Sequence, residues 1–140
     1  MSRPRLFLDT NVLVSAVLFG GVPGALVDAV RDGRAEGIVS LHVLSELIDV
    51  LTRPRFGVDE PTAVALAEEI ALFMQVVPLM VASGAWVSDA DDDPVIAAAI
   101  AGVAAYVVTR DGRIHEVEVE GLQVVTPAEA LRVVDESQDG

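Results

Sequence analysis

The chain has 140 residues and no cysteine, which removes disulfides, thiolate nucleophiles and cysteine-ligated zinc together. It has no lysine either. Its nine basic residues are all arginine: Arg3, Arg5, Arg31, Arg34, Arg53, Arg55, Arg110, Arg113 and Arg132. A P-loop NTPase without its phosphate lysine and a Schiff-base enzyme without its amine are therefore disfavoured, as are receiver and haloacid-dehalogenase sites, which rely on a lysine. Basic charge is scarce overall. The net charge of −13 opposes nonspecific nucleic-acid binding, because phosphates are drawn to basic surfaces. No apolar run approaches the roughly 18 uninterrupted residues of a membrane span. The basic start, Met1 to Arg5, superficially suggests a signal peptide, but Asp9 and Asn11 interrupt the apolar stretch behind it. We read a mature cytoplasmic start.

What the chain has in abundance is apolar side chain, 52% of residues with a mean hydropathy of +0.51. Without a membrane span that content belongs to a core. A chain of this size buries roughly two thirds of its unfolded surface, enough for one domain without staples. That domain is expected over 1–134, with 135–140 a frayed acidic tail.

Strands are expected at Arg5–Asp9, 36–40, 76–80, 106–109 and 122–126, where short apolar runs end at turn or polar residues. Helices are expected from Asn11 to Phe19, Pro23 to Val30, Leu41 to Arg53, Glu60 to Met74, Pro94 to Gly102 and Pro127 to Val134, on apolar spacing and on proline or glycine punctuation. This alternation predicts an α/β fold, a three-layer α/β/α sandwich around a mainly parallel five-stranded sheet. Such sheets bind ligands beyond the carboxyl ends of their strands.

The residues just past the strands are acidic. Asp9 ends the first, Thr109, Arg110 and Asp111 follow the fourth, and Asp91, Asp92 and Asp93 open the helix before it. Each has an ordinary structural reading, as turn residue, helix cap or solvated loop. Their coincidence at strand ends predicts one crevice, where crowded carboxylates need a countercharge. Hard oxygen donors without histidine or cysteine suit Mg²⁺ or Mn²⁺. His42 and His115 stand apart, without metal-ligand spacing. Glu46 reads differently. With Leu44, Ile48 and Leu51 taken as the buried stripe, a helical wheel sets Glu46 nearly opposite it, as a solvated residue.

Four segments in order then resemble the PIN-domain family, in its toxin-like (VapC-type) branch found in bacterial toxin–antitoxin modules. They are LFLDTNVLVSA (Leu6–Ala16), SELIDVLTRPRF (Ser45–Phe56), DADDDPVIAAA (Asp89–Ala99) and AYVVTRD (Ala105–Asp111), followed by a similar ending, VVTPAEAL (Val124–Leu131). The resemblance covers nearly the whole chain. It implies a catalytic set of Asp9, Glu46, Asp93, Asp92 and Asp111, with Asp9, Glu46 and Asp93 as metal ligands, and so reverses the wheel reading of Glu46. The register admits Asp93 first and Asp92 next. Arg113 stands where some relatives carry a further acid, which leaves Asp111 as a peripheral fourth acid.

The resemblance further implies a metal-dependent endoribonuclease, the toxin of a module with a small antitoxin protein, and a homodimer. The chemistry suits the residues, since Mg²⁺ or Mn²⁺ on these acids would polarise a phosphodiester and activate water for in-line attack. Asn11 and Thr109 would support the ligands by hydrogen bonding, and Arg53, Arg55, Arg110 and Arg113 would grip RNA phosphates. The competing reading is a catalytically silent PIN-like interaction module.

Overall fold

The computed structural model describes residues 3–79 and 93–139. Five strands, β1 (Arg5–Leu8), β2 (Glu36–Ser40), β3 (Gln75–Val77), β4 (Tyr106–Val108) and β5 (Gln123–Val125), form one sheet in the order β3-β2-β1-β4-β5. Every neighbouring pair is parallel, with Phe7 opposite Ile38 on one side and Val107 on the other. Parallel strands covered on both faces must be apolar throughout. The central strand meets this, with Leu6, Phe7 and Leu8 fully buried.

Among the described residues six α-helices pack around the sheet: α1 (Thr10–Phe19), α2 (Gly21–Arg31), α3 (Leu41–Leu51), α4 (Glu60–Phe73), α5 (Pro94–Ala101) and α6 (Pro127–Asp139). The glycine at 37 in β2 approaches Val30 of α2, whereas its neighbour Ile38 meets Gly102 at the end of α5. Successive strand residues point to opposite faces, so α2 and α5 lie on opposite sides of the sheet. The result is the three-layer α/β/α sandwich expected, with α1 packing on α2 and α3, α3 on α4, and α2 on α6.

Several boundaries differ from the sequence reading. Helix α2 starts at Gly21, two residues before Pro23, which falls within its first turn. The chain reverses there by 102° between α1 and α2, made possible by Gly20 and Gly21 at φ 68° and 58°, a region that penalises a Cβ. Among the described residues no single helix is long and apolar enough to cross a membrane. Strand β3 is shorter than expected, and Met80 lies outside the described residues. Helix α6 continues past Val134 to Asp139, and Arg34 near β2 pairs with Asp135 on this extension.

The strand order reverses between β1 and β4, because β2 and β3 extend to one side of β1 while β4 and β5 extend to the other. At such a switch point the connecting segments diverge above the sheet and leave a crevice at the carboxyl ends. Asp9 leaves β1 and Thr109 leaves β4 at that point.

Candidate active site

Asp9 is built in by the start of α1. Its backbone N–H continues the sheet by donating to the Val108 carbonyl at 3.0 Å, and its carboxylate caps the helix, Oδ1 accepting from the Thr10 N–H at 2.7 Å. Oδ2 accepts from the Thr109 hydroxyl at 2.7 Å and from Asn11 Nδ2 at 3.1 Å. Thr109 is wholly buried and Asp9 nearly so. The Thr109 hydroxyl in turn accepts from Asn11 Nδ2 and from the Asp111 N–H, while Asn11 Oδ1 accepts from the Arg110 N–H. Strand ends β1 and β4 are thus stitched together around one carboxylate. Among the described residues no buried side-chain polar atom lacks a partner.

Asp93 enters from the other face of the sheet. It caps α5, with Oδ1 accepting from the Val95 N–H at 2.8 Å and Pro94 in the first turn, so its side chain is held nearly buried. Its Oδ2 is bonded to Arg113 Nη2. Arg113 Nη2 also lies 3.7 Å from Asp111 Oδ2. Asp111 sits at the entrance, its Oδ1 accepting from the Arg113 N–H at 2.9 Å.

Glu46 reaches the same cleft from α3. The residues of α3 that are buried are Val43, Leu44, Leu47 and Leu51, not the Leu44, Ile48 and Leu51 stripe expected. That rotates the buried face by about 50° at about 100° per residue and moves Glu46 from opposite it to its flank. Glu46 is exposed, as the wheel reading has it, and from that flank it also lines the cleft. Its side chain is half exposed, with Oε1 3.0 Å from His42 Nε2 and within 3.4 Å of the Thr10 hydroxyl. His42, which the sequence reading set aside, lines the cleft, and its spacing of four residues from Glu46 was the signal for it.

The cleft encloses about 620 Å³ and is lined by Asp9, Asn11, Glu46, Asp93, Asp111 and Arg113 together with Arg53, Arg55, Phe56 and Phe19. Arg53 pairs with Asp49 one turn back and Arg55 lies over the Phe56 ring, so both cations stand at the rim. Arg110 is not itself a lining residue, but its guanidinium donates to Ser15 on α1, which lines the cleft. Asp92 lies outside the described residues. Phe19, 76% exposed, and Phe56 are lining residues that the sequence reading did not single out.

The donors fit a hard divalent cation in kind, being carboxylate oxygens without sulfur. Their present arrangement is that of an ion-paired cleft. Among the described residues no three acidic or histidine side chains form a group that could hold a metal ion, and Asp93 is turned onto Arg113.

Burial pushes the Asp9 carboxyl above the ordinary aspartate range. The Thr109 hydroxyl and Thr10 N–H pull it back, and the Glu46 and Asp93 carboxylates raise it further. A raised pKa means that the folded chain binds the proton more tightly than the unfolded one. Stability from this group is therefore present below the ordinary aspartate value and lost as pH rises through the folded value. With chelator present, denaturation of wild type and Asp9→Asn between about pH 4 and about pH 7 is expected to show the difference moving in favour of the Asn variant as pH rises. Any hydrogen bonds that Asn loses add a constant offset. A difference that does not change with pH would rule out the shift.

A family model described as PIN domain matches residues 5–113. No curated protein matches the sequence. Among solved structures, the chain superposes with a TM-score of 0.57 on a chain of the crystal structure of VapBC2 from Rickettsia felis bound to a DNA fragment from their promoter, at 16% identity over 87% of this chain and 98% of that one. At that identity the likeness is one of fold.

Proposed function

The chain belongs to the PIN domain family, and from that premise we propose that it is a metal-dependent endoribonuclease, the toxin of a toxin–antitoxin module. The observation that supports this reading most is the meeting of Asp9, Asp93 and Glu46 in one cleft at the switch point of the sheet. These three carboxylates would hold Mg²⁺ or Mn²⁺, with Asp111 peripheral and Asp92 a neighbour of the set. When bound, the ion supplies Lewis-acid polarisation of the scissile phosphate and activation of water for in-line hydrolysis that releases a 3′-hydroxyl.

The chain's own residues do the positioning. Asp9 is fixed at both oxygens by the backbone of α1 and by Thr109 and Asn11. Arg53 and Arg55 stand at the rim, where guanidinium groups bind phosphate oxygens bidentately. Arg113 shares the cleft with the acids, while the Arg110 guanidinium stands beside it on the cleft-lining Ser15. Because the net charge is −13, RNA binding depends on these local cations and on metal rather than on the general field.

The similar structure is that of VapBC2 bound to a DNA fragment from their promoter. We extend to this chain a small antitoxin partner, a homodimer and a cytoplasmic site of action. Exposed Phe19 on α1 and Leu72 on α4 supply apolar surface for such contacts.

The test is cleavage of host RNA by the purified protein. Activity is expected with Mg²⁺ or Mn²⁺, lost in EDTA and regained on adding metal back, with RNA affinity weakened in EDTA as well. Cleavage that persists in EDTA would refute the metal reading. A folded protein without cleavage under any metal would favour the silent interaction module.

A further inference from the structure

The four carboxylates that line this cleft, Asp9, Glu46, Asp93 and Asp111, repel one another unless a cation stands among them. In this chain a cation already does. The Arg113 guanidinium is bonded to Asp93 Oδ2 and lies 3.7 Å from Asp111 Oδ2. Asp93 Oδ1 already accepts from the Val95 N–H at the start of α5, so Oδ2, the oxygen that Arg113 holds, is the one an added ion would compete for. We propose that Arg113 is a built-in counter-cation that holds the metal-free cleft together by occupying Asp93 Oδ2, and that a divalent cation enters by displacing it. The inference rests on the metal-dependent reading above.

The local structure favours such an exchange. The Arg113 backbone is anchored by its N–H to Asp111 and by the short 3₁₀ turn Ile114–Glu116 that follows. Its side chain is 48% exposed, so the guanidinium can move into water without disturbing the sheet, and a half-exposed arginine regains hydration when it leaves. Asp93 stays in place because its other oxygen caps the helix. Arg113 thus makes the empty site stable and at the same time competes with the ion.

The experiment is titration of metal-free protein with MnCl₂, followed by calorimetry and by the paramagnetic signal of free Mn²⁺, in wild type, Arg113→Gln, Arg113→Lys and Asp9→Asn. Melting in EDTA is measured alongside. Arg113→Gln is expected to bind Mn²⁺ about tenfold more tightly, with Arg113→Lys between it and wild type. In EDTA the Gln variant is expected to melt lower, because its carboxylates have lost their countercharge, and Mn²⁺ is expected to restore it. If Gln and Lys variants that melt cooperatively bind Mn²⁺ no more tightly than wild type, while wild type binds and Asp9→Asn does not, the exchange is refuted and the metal site stands. If no form binds Mn²⁺, or Asp9→Asn binds it as wild type does, the metal reading itself fails and the exchange with it.

Discussion

Asp9→Asn is expected to lower metal-supported RNA cleavage by about a thousandfold or more, equivalent to about 4 kcal/mol of transition-state stabilisation. The substitution keeps the size of the side chain and removes its charge, so it separates the electrostatic role of Asp9 from its role in packing. The capping bond from Thr10 to Oδ1 can persist in the variant. On the Oδ2 side, an amide group would face the Thr109 hydroxyl, which already accepts from Asn11 and from the Asp111 N–H. That conflict costs local order, so melting and circular dichroism belong in the same experiment. A cooperatively folded Asp9→Asn protein retaining cleavage within tenfold of wild type would remove Asp9 from the metal site. The comparison is cleanest at saturating Mg²⁺, where a merely weakened affinity would be compensated and a lost ligand would not.

The placement of Asp9 follows from the sheet. Its neighbours β1 and β4 are parallel and paired in register through Leu8 and Val108, and this alignment brings Thr109 level with Asp9. That much was legible in the sequence, because buried parallel strands are short apolar runs and the first residue beyond each is the first free to be polar. Asp93 was legible for a similar reason, as the residue before a proline that opens a helix.

Glu46 was not legible from periodicity. The wheel treated Ile48 as core, whereas Val43 and Leu47 are fully buried and Ile48 only partly so, a consequence of α3 packing against α1, α4 and β2. On an amphipathic helix held among three partners the apolar arc is wide, and its centre cannot be located from composition to within half a turn. The resemblance to the family supplied what the wheel lacked. Arg113 presents the opposite case, since its pairing with Asp93 spans 20 residues and depends on how a loop and a helix start meet. No local pattern encodes such a contact. The same holds for the contact of His115, a half-buried residue whose Nε2 lies 2.7 Å from the Thr109 carbonyl.

Thr109→Val is expected to reduce cleavage by about 10- to 100-fold and to destabilise the fold by about 1–3 kcal/mol, although Thr109 touches neither substrate nor metal in the proposed reading. Its hydroxyl donates to Asp9 Oδ2 and accepts from Asn11 Nδ2 and the Asp111 N–H, which uses one donor and both lone pairs. Valine fills the same space and makes none of these bonds. Asp9 Oδ2 would then keep only Asn11, and the buried carboxylate would lose the strongest of the interactions that hold its pKa down. The strand itself should survive, since the Thr109 N–H donates to the Val125 carbonyl and needs no side chain. Thr109 is thus a positioning residue, and its signature differs from that of a general loss of stability. The Val variant should need more Mg²⁺ for half-maximal cleavage and a higher pH for full activity, because Asp9 must ionise against a larger desolvation cost. Thr109→Ser, which restores the hydroxyl while losing a methyl group, should recover both the metal requirement and the pH profile. A Val variant that is less stable but unchanged in its Mg²⁺ and pH dependence would show that Thr109 serves packing alone.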